Sequence, residues 1–129
     1  MERSRAKAQQ RRQRTGEAER AYAVFLDKVA TPVVRMMASA LKAEGYPFTV
    51  GTPSGGLRLA SDHGRDDYVE FFLDTSGDDA QVIGRVSRAR GSRTLTGERP
   101  VKPGTGPDGL TDEDVLAFLV ESLEPWFER

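Results

Sequence analysis

From Tyr22 onward the apolar positions recur as Tyr22, Phe25, Leu26, Val29, Val33, Met36, Met37, Ala40 and Leu41. These offsets return to one side of a helix at about 100° per residue. The spacing predicts one amphipathic helix that ends near "EGYP" at residues 44–47. Pro32 falls inside it, where a proline removes a backbone hydrogen bond at an interior penalty of about 3 kcal/mol. The stripe keeps its phase across the proline, which favours a kink; the alternative is a second helix capped by Thr31 with Pro32 at its first position. The start is read at "TGEAER", where Thr15 can cap free amides and Glu17 and Glu19 occupy the first turn, favoured by the helix dipole. Gly16 costs about 1 kcal/mol relative to alanine, and cations at a helix N-terminus oppose the dipole. Residues 1–15 are therefore read as a basic, frayed arm and residues 16–129 as a single α+β domain.

Beyond the helix the period changes to two. "YPFTV", "GLRLA", "DYVEFFL", "QVIGRVSR" and "RTLTGERPV" are short, partly alternating and rich in β-branched or aromatic residues. The segments between them carry the glycines, acids and hydroxyls that turns require. Five strands in an antiparallel meander follow. Alternation places Val69, Phe71 and Leu73 on one face with Leu57 and Leu59, under the helices, and leaves Tyr68, Glu70 and Phe72 on the other. In the fourth strand Val82 and Val86 compete with Ile83 for the inner face.

The chain closes with "LTDEDVLAFLVESLEPWFER", where Thr111 and Asp114 have the spacing of a capping box with aspartate in place of glutamate. Val115, Leu116, Leu119, Val120, Leu123, Trp126 and Phe127 cover a broad apolar arc, opposite an acidic stripe. Phe118 sits at the edge of that arc, where it either completes the core or touches a partner. Pro125 predicts a kink in the last turn. The expected fold is a two-layer sandwich, with a long N-terminal helix and a C-terminal helix on one face of a five-stranded sheet. Its order resembles the plan shared by frataxins, TBP-like domains and secretion chaperones, without a motif of any of them, so the likeness implies no function.

A length of 129 residues fits one core, and 37% apolar with 30% charged residues is ordinary for a globular domain. The chain has no cysteine, which excludes disulfides, thiolate metal sites and cysteine nucleophiles and fits a reducing cytoplasm. No apolar run reaches membrane-spanning length, and the basic N-terminus lacks both the apolar core of a signal peptide and an amphipathic presequence face.

Charge is unevenly distributed on a chain whose formal net charge is −1. Arg3, Arg5, Lys7, Arg11, Arg12 and Arg14 stand against Glu2 alone, while residues 108–129 carry seven acids against Arg129. The two ends can attract each other within one chain or across a dimer, loosely and in a salt-sensitive way. A second cationic cluster, Arg85, Arg88, Arg90 and Arg93, surrounds one hairpin. Arm and hairpin together would form a phosphate-binding surface; roughly six contacts would give a log–log salt slope near five without reading bases.

Motifs for chemistry are absent or incomplete. Tyr68, Val69, Glu70 and Phe71 in "RDDYVEFF" resemble the tail of the RNP1 pattern of RRM domains, but the basic-glycine-aromatic-glycine half is missing and the element order differs. His63 is the only histidine, too few for a typical zinc site. Ser54 and Ser61 lie in no "GxSxG" elbow, "DTSGDD" lacks the spacing of a calcium loop, and "GTPSGG" lacks the lysine of a P-loop. Glu70 and Asp74 share a strand face, as many carboxylate pairs do without a pocket. No catalytic, metal or cofactor residue is expected. The sequence points to a non-catalytic protein-interaction module, with self-association into a homodimer as one form, using Tyr68, Phe72 and Phe118. The alternative is a sequence-independent nucleic-acid binder using the arm and the arginine hairpin.

Overall fold

A computed structural model describes residues 2–127, with side chains from Ser4 onward. Helix α1 spans Glu2–Phe25, a π-helical turn follows over Leu26–Ala30, and α2 spans Thr31–Ala43. Strands β1 (Phe48–Gly51), β2 (Leu57–Ser61), β3 (Tyr68–Asp74), β4 (Gln81–Arg90) and β5 (Arg93–Pro100) form one antiparallel sheet in sequential order. Helix α3 (Asp112–Phe127) closes the chain. This is the α+β sandwich that the sequence predicts.

Two features of the helices differ from the sequence reading. Helix α1 begins at Glu2 rather than at Thr15. Upstream of Thr15 the chain is arginine, lysine, glutamine, alanine and a few polar residues, with no proline. Extending an existing helix through good helix formers is far cheaper than nucleating one, so a single interior glycine does not stop it. At Pro32 the helical path neither breaks nor is recapped by Thr31. The Thr31 amide donates to the Leu26 carbonyl, five residues back, and Pro32 then sits in the first turn of α2, where its missing N–H costs little. The π turn absorbs the proline.

Alternation along the strands does what period two predicts. The register pairs Leu59 with Val69 and Val69 with Val86, and it pairs Leu57 with Phe71 and Phe71 with Gly84. These residues face the helices, and the ambiguity in β4 resolves with Val82 and Val86 inward and Ile83 outward. Tyr22, Phe25, Val33, Val34 and Leu41 from the helical run meet them, together with Val115, Phe118, Leu119 and Leu123 of α3. Trp126 packs edge-on against Phe48 at 6.1 Å and Tyr46 against Phe127 at 4.8 Å, which ties the end of α3 to β1. Helix α3 stays helical through Pro125 to Phe127.

Phe118 takes the first of its two alternatives. It is 2% exposed and lies 5.6 Å from the Phe71 ring. Gly84 makes the room: a Cβ there would stand 2.1 Å from Phe118 Cζ. Phe118 is a core residue, so it drops out of the predicted interaction set.

The cap of α3 is reciprocal. The Thr111 amide donates to Asp114 Oδ2 at 2.9 Å, and the Asp114 amide donates to Thr111 Oγ1 at 3.2 Å. These bonds hold the Asp114 carboxyl below its usual range, the Thr111 backbone contributing most and Lys102 adding to it.

Candidate nucleic-acid interface

Cross-strand register decides which charges find partners. On the outer face, Arg58 of β2, Glu70 of β3, Arg85 of β4 and Glu98 of β5 stand side by side in one row. Their signs alternate, and each neighbour pairs with the next. Arg58 Nη2 lies 3.2 Å from Glu70 Oε1, Arg85 Nη1 3.5 Å from Glu70 Oε2, and Arg85 Nε 2.7 Å from Glu98 Oε1. Glu70 is only 8% exposed, so its carboxylate is bound between two cations. The contact with Glu98, above all, raises the Arg85 guanidinium beyond its ordinary range.

The same two arginines lie over the outer aromatics. Arg58 sits 4.2 Å from the Tyr68 ring centre and Arg85 4.9 Å from that of Phe72. Tyr68 and Phe72 are on the uncovered face, as alternation predicts, but each ring is half-buried with a guanidinium already stacked on it. An RRM-like platform needs open ring faces for bases. This ladder occupies them.

The acids of α3 also find local partners. Arg99 Nη2 reaches Glu121 at 3.1 Å and lies 4.4 Å from the Phe118 ring centre, while Lys102 Nζ is 3.8 Å from Asp114. The basic arm supplies none of these contacts.

Its cations are differently placed. Arg5, Lys7, Arg11, Arg12 and Arg14 are exposed on α1, and none forms an ion pair among the described residues. The Arg3 side chain lies outside the described residues. At about 100° per residue, Lys7, Arg11 and Arg14 fall within roughly 60° of one another, while Arg5 and Arg12 point the other way. The row of three lines a cleft of about 540 Å³ with Gln10 and Thr15; the far wall is Thr75, Ser76, Gly77, Asp78 and Ala80 of the β3–β4 turn. Asp74 shapes that wall: its Oδ1 accepts from the Ser76 amide at 2.9 Å and hydroxyl at 2.6 Å, which lowers the Asp74 carboxyl from its usual range. A second cleft of similar size continues past Arg14 toward Asp79 and Pro107.

The hairpin arginines are elsewhere. Arg90 and Arg93 flank the tip at the far end of β4, ten residues from the β3–β4 turn, a separation of about 30 Å along the strand. Arm and hairpin therefore do not converge on one surface. Arg85 is committed to the ladder, leaving Arg88, Arg90 and Arg93 around a tip where Asp66 and Asp67 intervene. Asp67 Oδ1 accepts the Ala89 amide at 2.7 Å, and Asp66 Oδ2 accepts the Thr94 hydroxyl at 3.3 Å. That role leaves no local signal in the sequence, because it depends on a turn meeting a hairpin more than twenty residues away.

No family model, curated protein or solved structure matches the chain.

Function must therefore be argued from the geometry alone. Among the described residues no group of three His, Cys, Asp or Glu side chains is placed to hold a metal ion, and no helix is long and apolar enough to cross a membrane. His63 and Asp62 lie in the exposed β2–β3 turn, where the Thr49 hydroxyl donates to Asp62 Oδ1 at 2.6 Å.

Proposed function

We propose that this chain is a non-catalytic binding module whose helical N-terminal segment seats the phosphate backbone of nucleic acid without reading its sequence. One observation carries the reading: Lys7, Arg11 and Arg14 converge on a polar cleft while making no ion pair among the described residues. A cation already paired inside the fold gains little from a phosphate. An unpaired one exchanges condensed counterions for the contact, which is the main source of non-specific affinity.

The size of the salt effect separates this surface from the larger one the sequence suggested. Three phosphate contacts correspond to a log–log slope of about 3 rather than about 5. The test is fluorescence anisotropy with a labelled duplex of arbitrary sequence over a salt series. Wild type should bind with that slope, independent of sequence, and Lys7→Ala/Arg11→Ala/Arg14→Ala should flatten it. Failure to bind at low salt, or binding that the triple variant leaves intact, would overturn the reading.

A second reading keeps the outer sheet face as a protein-docking surface. It is favoured by Tyr68, Phe72 and Pro100 lying on a sheet face that no helix covers, the two rings under the Arg58 and Arg85 guanidiniums. Phe72→Ala would then weaken capture of a protein partner and leave duplex binding unchanged.

A further inference from the structure

Of the two sheet edges, β1 is four residues long and β5 is eight, with Arg93–Arg99 exposed throughout. The hairpin geometry shows which backbone groups of β5 are unused. Gly91 and Ser92 form a two-residue turn with Gly91 at φ 64°, the pattern of a type II′ hairpin, closed by the pair Arg90 and Arg93. Pairs then alternate, so Arg88–Leu95, Val86–Gly97 and Gly84–Arg99 exchange hydrogen bonds. The Val101 amide continues the series by donating to the Val82 carbonyl at 3.0 Å. The amides and carbonyls of Thr94, Thr96 and Glu98 consequently point away from β4. Pro100, which lacks an N–H, blunts only the far end.

We infer that two copies of this chain pair antiparallel along β5, with Leu95 of each opposite Leu95 of the other, to give a continuous ten-stranded sheet with helices on one side. The register follows from three observations. First, the outward-pointing groups must meet, which restricts the hydrogen-bonded pairs to Thr94, Thr96 and Glu98 of the two copies, a condition that Thr94 against Thr96, and the reverse, satisfies. Second, Leu95 is 42% exposed on the inner face and finds an apolar partner in its own copy. Third, Arg93 of the second copy then lies opposite Gly97, which has nothing within 4 Å of a Cβ position. There it is one inner-face position from Arg99 and its partner Glu121, whose side chain is 71% exposed. Sliding the register by one residue on each strand sets Arg93 opposite Arg99, and like charges directly opposite destabilise a pair. This self-complementarity favours a second copy over an unrelated extended peptide. The inference is independent of nucleic-acid binding.

The absence of cysteine permits a direct test of register. A non-hydrogen-bonded antiparallel pair has Cα atoms about 4.5 Å apart, within the range a disulfide spans. Leu95→Cys should therefore form a disulfide dimer under mild oxidation, well ahead of Val24→Cys, an exposed control on α1. Light scattering on wild type should show the average mass rising from one chain toward two between low micromolar and near-millimolar concentration. Thr96→Pro, which removes only an outward N–H, should hold it at one chain. A wild-type monomer at the highest concentration, or Leu95→Cys cross-linking no faster than the control, would overturn the inference. The cross-linking arm decides the matter even if Thr96→Pro fails to fold.

Discussion

Arg58 and Arg85 on the sheet, and Lys7, Arg11 and Arg14 on α1, are similar cations in opposite circumstances. The sheet pair stands in a row whose neighbours are fixed about 5 Å away by hydrogen-bonded strands, so an acid at the right register position must meet it. Glu70 and Glu98 occupy those positions. The helix row faces a turn across an open cleft, and Asp78 on that turn comes within the same space without pairing. Backbone hydrogen bonding thus consumes one set of charges and leaves the other available. Net charge, close to zero for the chain, conceals the difference.

Among substitutions tested at neutral pH, removing the shared acid should produce the largest effect. Glu70→Ala leaves two guanidiniums facing each other beside aromatic rings, and loss of a buried partner costs about 3–5 kcal/mol. Because Arg58 and Arg85 are 36% and 35% exposed, water screens much of this, and a loss of about 2 kcal/mol is expected in urea unfolding. Neutralising Lys7, Arg11 and Arg14 together should change stability by no more than about 0.5 kcal/mol. Equal losses in the two variants would erase the distinction.

Tyr22 sharpens the comparison from beneath the sheet. Its hydroxyl donates to the Phe71 carbonyl at 3.3 Å, and burial, with the Glu70 charge adding to it, pushes the phenol up to about 12 from 10.0. The neutral form is favoured in the fold. This contribution should therefore be complete below pH 10 and be lost as pH rises through 12, by about 3 kcal/mol in total. Alkaline thermal melts should show that decline in wild type and lack most of it in Tyr22→Phe. Glu70→Gln should recover only the smaller, electrostatic share.

The smallest expected effect concerns the cleft wall. Asp78→Asn removes a carboxylate facing the basic row and should tighten duplex binding about two- to threefold, the scale of one exposed charge interaction. The same anisotropy titration measures it, and a weaker complex would mean that Asp78 helps the ligand rather than repelling it.

What could be read in advance divides along the same line. Period-two segments and turn residues specify the sheet, and Thr111 with Asp114 specify a helix start, because each signal lies within a few residues. The assignment of Val69, Phe71 and Leu73 to the helix side needed only alternation. Gly16 and the dipole argue against helix upstream of Thr15, but the helix propensity of residues 3–14 outweighs them, so α1 is longer than its local start signal predicts. The π turn before Pro32 is not legible in the sequence, because an i to i+5 bond leaves no mark on hydrophobic spacing. Partners for Arg58, Arg85, Arg99 and Asp67 could not be named at all, since each depends on register or on a loop contact more than ten residues away. The convergence of Lys7, Arg11 and Arg14 requires the helix, and a frayed arm carries no such row.

The claim that the helix row, and not the sheet ladder or the hairpin, is open to phosphate can be tested residue by residue. Amide chemical shifts of the full chain, followed while a short duplex is added at low salt, should move for residues 5–15 and 75–80. They should stay fixed for Arg58, Glu70 and Arg85 and for the hairpin tip at Arg88–Arg93. Shifts centred on the tip or the outer sheet face, with residues 5–15 unmoved, would contradict the account.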